Sequence, residues 1–103
     1  MRLTDRQHQA IQKAARRAFG ADARVYLFGS RINDRARGGD FDLYVVTPES
    51  DPERLVAARL AFLQMLHAEP ALADEKIDVV LSSPLHGGDR CIDEVARQEG
   101  VEL

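Results

Sequence analysis

Apolar residues recur along this chain with two different periods, and the changes of period divide it into elements. Between Thr4 and Phe19, the residues Ile11, Ala14, Ala15, Ala18 and Phe19 repeat at helical spacing. Thr4 followed by Gln7 matches the capping-box pattern, so a helix is predicted over 4–19, with Gly20 as its stop. Ala23 to Phe28 has the Val, Tyr and Phe content of a short strand, which Gly29-Ser30 breaks. The polar run from Arg31 to Gly39 suits a short helical turn and a loop that returns the chain to a second strand, Asp40 to Thr47. After a loop, Pro52 stands at a first helical position with Ser50 or Asp51 as cap, opening a helix to about His67.

In that helix Leu55, Ala58, Phe62 and Leu66 line one ridge, and Val56, Leu60 and Leu63 line its neighbour. A face so wide implies deep burial or a partner, core being the commoner case. Beyond a loop holding Pro70, Lys76 to Leu81 reads as a third strand. Asp89 to Gln98 reads as a last helix, with Ile92, Val95 and Ala96 facing inward and Gly100 behind it. There is no internal repeat and no linker. The expected class is α/β (α+β), a small mixed three-stranded sheet covered by helices in a single domain, 1–103.

Composition narrows the partners. At 103 residues and 45% hydrophobic content the chain supports one modest core, and a net charge of −3 disfavours broad attraction to a phosphate backbone. No direct nucleic-acid binding is therefore expected. No apolar run approaches the ~18 residues of a membrane span, and no cationic-then-apolar leader stands at the start, so a cytoplasmic location is expected. Cys91 is the only cysteine, which excludes an internal disulfide and a cysteine-built zinc site. His8, His67 and His86 show no ligand spacing and read as surface or packing residues.

The anomaly lies in the second strand. Side chains alternate along a strand, so Asp40 and Asp42 project from one face with Cα atoms about 6.6 Å apart, while Phe41, Leu43 and Val45 face the core. Carboxylates in such a strand are costly unless a cation or open solvent meets them, and this pair is suited to bridging two hard cations, Mg²⁺ or Mn²⁺. The third strand repeats the pattern, with Asp78 set among Ile77, Val79 and Val80. If it lies beside the second strand, Asp78 joins the cluster, and three carboxylates in one cleft repel each other unless a cation is present. Gly29-Ser30 supplies a glycine that lets backbone N–H groups approach a phosphate and a hydroxyl that adds a donor.

Gly29-Ser30, nine intervening residues, Asp40-Phe41-Asp42 and then Asp78 together resemble the minimal nucleotidyltransferases of the DNA polymerase beta-like superfamily. The resemblance runs from Val25 to Leu81. Two departures stand out: the spacer is one residue shorter than the commonest form, and Gly39 occupies a position where many members have Ser. The resemblance implies a palm-like fold and transfer of a nucleoside monophosphate to a hydroxyl, with pyrophosphate leaving. On that analogy Asp40, Asp42 and Asp78 are the catalytic metal ligands for two ions. Asp78 would also help deprotonate the nucleophile, Gly29 and Ser30 would bind the triphosphate, and Arg31 would neutralise leaving-group charge. Similar small proteins commonly act with a separate helical partner of the HEPN type in toxin–antitoxin pairs. The implied function is thus AMP transfer from ATP to that partner.

Plainer readings stand beside these. Asp40 and Asp42 would be polar positions on a half-exposed sheet, Asp78 would pair with Arg24 or Lys76, and Gly29 and Ser30 would serve only a turn and a cap. Arg31, Arg35 and Arg37 would be a solvated face. At the level of function the alternatives are a non-catalytic module that neutralises a helical partner by contact, and nucleotidyl transfer to a small molecule.

Overall fold

The computed structural model describes residues 3–28, 41–73, 75–84 and 100–103. Helix α1 spans Asp5–Phe19 and β1 spans Arg24–Phe28, followed by β2 (Phe41–Val46), α2 (Pro52–Ala68), β3 (Ile77–Ser82) and β4 (Val101–Glu102). The expected last helix over 89–98 lies outside the described residues. The class is mixed α+β, with helices packed on a sheet.

Local chemistry explains the helix ends. Thr4 and Gln7 form the reciprocal capping box: the Gln7 amide N–H donates to Thr4 Oγ1 at 3.1 Å, and the Thr4 N–H donates to Gln7 Oε1 at 3.0 Å. α1 closes at Gly20, whose N–H donates to the Arg16 carbonyl and whose φ of 93° is open to glycine and costly for other residues. In α2 the cap is Asp51, whose carboxylate accepts from the Glu53 N–H at 3.0 Å, with Pro52 at the first helical position.

Among the described residues the sheet has four strands, in the order β3-β2-β1-β4. β1 and β2 are antiparallel, β2 and β3 are parallel through the α2 crossover, and β4 pairs antiparallel with β1. The fourth strand adds to the three expected ones. It is two residues long, too short to carry a period-2 signature.

One face of the sheet builds the core. Val25, Leu27, Phe41, Leu43, Val45, Val79 and Leu81 point into the layer where Ile11, Ala14, Ala15, Leu55, Phe62 and Leu66 arrive from the helices. Phe41, Leu43 and Val45 are fully buried, as the alternation of β2 requires. Phe19 and Phe62 join the two helices edge to face at 5.4 Å. Of the two ridges of α2, the first is buried through Leu55, Phe62 and Leu66, while on the second Val56 is 61% and Leu60 is 54% exposed.

Candidate active site

The other face of the sheet carries the acids. In the parallel register of β2 and β3, Asp42 stands opposite Asp78, and in the antiparallel register of β1 and β2 the same Asp42 stands opposite Phe28. Registered partners project from the same side, so the two carboxylates occupy neighbouring strands about 4.8 Å apart. Phe28 flanks them as the last residue of β1, immediately before Gly29. The next row on that face is Tyr26, Tyr44 and Val80, with the two tyrosine rings 6.3 Å apart.

Local sequence accounts for the placement. β2 puts Phe41 and Leu43 into the core and therefore turns Asp42 outward. β3 does the same with Val79 and Leu81, leaving Asp78 exposed and Asp42 partly buried. The expectation that the third strand lies beside the second is met. Asp78 is not in an ion pair with either cation suggested for it. Arg24 sits at the opposite end of β1, where it approaches Glu102 at 3.9 Å. Gly29, Ser30, Arg31 and Asp40 lie outside the described residues, as do Arg35, Arg37, His86 and Cys91.

Two features of this end of the molecule are not visible from motif spacing. Phe28 reads in the sequence only as a strand residue, yet it is the registered neighbour of Asp42; the signal for it is its position two residues before the Gly-Ser serine. Tyr44 is 4% exposed although it lies on the carboxylate face, so that face is not uniformly open. The end is also braced from the helical layer, where the buried Gln7 side-chain amide donates to the Ala71 carbonyl at 3.0 Å. That bond fixes the start of α1 to the turn leading into β3.

A hard divalent cation takes carboxylate oxygens, and Asp42 with Asp78 provides two side-chain donors of that class on adjacent strands. Among the described residues no group of three or more His, Cys, Asp or Glu side chains converges. The third carboxylate named from the sequence, Asp40, immediately precedes β2.

The family model of the nucleotidyltransferase domain matches residues 9–98, a span that runs from α1 past β3. The chain belongs to this nucleotidyltransferase family. No curated protein matches it at a significant level. Nucleotidyltransferase domains generally work on a nucleoside triphosphate with a divalent metal, and the donor chemistry of Asp42 and Asp78 fits such an ion. No helix among the described residues is long and apolar enough to cross a membrane.

Proposed function

We propose that this domain transfers AMP from ATP to a hydroxyl on a partner protein, in the manner of the antitoxin of a toxin–antitoxin pair. The observation that carries the reading is the in-register pairing of Asp42 with Asp78 beside the end of β1. Asp40, Asp42 and Asp78 would hold Mg²⁺, with Mn²⁺ as a substitute. The bound metal supplies charge neutralisation of the triphosphate and a more acidic acceptor hydroxyl.

The chain's own residues have distinct tasks in this reading. Asp78, exposed on the edge strand of the described sheet, would accept the proton of an incoming hydroxyl. Asp42, held between β1 and β3, would supply carboxylate oxygens to the metal that neutralises the triphosphate. Gly29 and Ser30 bind the triphosphate by backbone and hydroxyl donors, and Arg31 meets the charge that develops on pyrophosphate. The acceptor oxygen bonds to the α-phosphorus as the bond to the leaving pyrophosphate breaks. The hydroxyl proton passes to a carboxylate and then to solvent.

The helical HEPN type is the partner the sequence resemblance suggests, and the cytoplasm is where ATP and such a partner meet. The discriminating experiment combines the purified protein with its co-purified partner, Mg²⁺ and ATP labelled on the α-phosphate. Intact-mass analysis of the partner is expected to show a gain of one nucleoside monophosphate, lost in Asp42→Asn and Asp78→Asn. Neutralisation of the partner without any mass gain, unaffected by those substitutions, would refute catalysis and leave a contact-only module. A label that appears only on a metabolite would shift the acceptor to a small molecule.

A further inference from the structure

A groove runs along the helical layer, on the side of the molecule away from the carboxylates, and its charge is at odds with that of the chain. α1 carries four cationic side chains, Arg6, Lys13, Arg16 and Arg17, against the single carboxylate of Asp5, in a protein whose net charge is −3. All four cations are exposed, and none is in an ion pair among the described residues. Three of them, Arg6, Lys13 and Arg17, line two clefts of about 320 and 210 Å³ that share Ala10, Lys13 and Glu69 and so form one continuous groove. Its apolar lining comes from the nearly buried Ala10 and Ala14, from the half-buried Met65 and from the exposed Ala68, and among the described residues Glu69 is the one acid that lines it.

We propose that this groove docks an acidic, amphipathic helix of a protein partner. The apolar lining and the cations ask for different things from one ligand. A phosphate strand would satisfy the cations and leave Met65 and Ala68 wet, whereas an amphipathic helix covers them with apolar side chains and turns carboxylates toward the cations. The cations lie seven and four residues apart along α1, rises of about 10.5 and 6 Å. Carboxylates at the same helical intervals on a second helix lying along α1 match them position for position.

The groove is also directed toward the site. The short link from α1 to β1 reverses the chain, so Arg6 lies at the end of the domain where β1 finishes at Phe28. The groove's other wall, at Glu69 to Ala71, leads into β3 and Asp78, and the Gln7 bond to Ala71 ties the two walls together. A helix seated there emerges at the same end as the carboxylates. The groove stands whether or not the domain transfers nucleotide, since none of its residues belongs to the proposed chemistry.

The test is fluorescence anisotropy at low salt with a labelled helix-forming peptide bearing Leu on one face and Glu on the other. Its controls are a scrambled peptide of equal composition and a single-stranded RNA of equal charge. Wild-type protein is expected to bind the amphipathic peptide at least about tenfold more tightly than the scrambled one, and the paired changes Lys13→Glu and Arg17→Glu to remove that binding by a similar factor. The milder Lys13→Gln with Arg17→Gln is expected to fall between, and unchanged thermal unfolding of both variants shows that the fold is retained. Equal binding of the two peptides, or binding untouched by the charge reversals, overturns the proposal. So does tighter binding of the RNA, which makes the groove a nucleic-acid surface. A wild-type dimer in sedimentation that disperses in the charge-reversed variant also overturns it, because the occupant is then a second copy of this chain.

Discussion

Asp42 and Asp78 face the same side of the sheet from adjacent parallel strands, in direct register, with Phe28 completing the row. Two like charges at that separation repel by about 1 kcal/mol or less in water, and a divalent cation between them reverses the sign. In EDTA, Asp78→Asn is therefore expected to unfold at the same temperature as wild type or slightly higher. On addition of Mg²⁺ or Mn²⁺ with nucleotide, wild type gains thermal stability and the variant gains less. Differential scanning fluorimetry with and without metal reads both halves of this expectation.

The same pairing bears on activity. Replacing either acid by its amide preserves volume and removes a metal ligand, so nucleotidyl transfer is expected to fall at least about a hundredfold in Asp42→Asn and Asp78→Asn. Initial rates with labelled ATP check this, and retention of more than a tenth of the wild-type rate would remove that residue from the metal set.

The brace between the layers gives a separate expectation. Gln7 closes the capping box and also donates to the Ala71 carbonyl, so Gln7→Ala breaks a cap and leaves a partly buried carbonyl unpaired. A loss of about 1–3 kcal/mol is expected by urea unfolding, against about 1 kcal/mol for Thr4→Ala, which removes only one side of the box.

Gly20 adopts φ 93° and ψ 174°, and a Cβ built there meets nothing within 4 Å. Gly20→Ala is thus penalised by its backbone alone, at about 1–3 kcal/mol. By contrast, Phe62→Ala empties a fully buried site against Phe19 and is expected to cost about 3–5 kcal/mol, a large part of the stability of a domain this small. Denaturant midpoints of the two variants should differ in that order.

Much of this architecture is readable in the chain because the deciding interactions are local. The Thr4–Gln7 box, the Gly20 stop and the Asp51-Pro52 opening each depend on residues within one turn, and α1 and α2 begin and end within a residue or so of their expected bounds. The outward direction of Asp42 and Asp78 follows from strand parity once Phe41, Leu43, Val79 and Leu81 are assigned to the core. That the two acids share a register does not follow from parity, because it is set by the parallel crossover through α2. Nor is the Gln7–Ala71 bond legible, since it joins residues 64 apart. β4 escapes notice for want of length. The two ridges of α2 look alike in sequence, and only packing against Phe19 and the sheet leaves Leu60 in solvent while burying Phe62. Gly29, Ser30, Arg31 and Asp40 retain their sequence assignments as part of the proposed site.

The most direct test of a metal site at these acids is a Mn²⁺ titration of the ¹⁵N-labelled protein, followed by NMR in the presence of a non-transferable ATP analogue. Paramagnetic broadening is expected to erase the amide signals of Phe28, Asp42 and Asp78 first, to spare Ala14 and Phe62 in the helical layer, and to require much more Mn²⁺ in Asp78→Asn. Broadening centred elsewhere, or the same response in that variant, would contradict a metal-bound nucleotide seated between β1, β2 and β3.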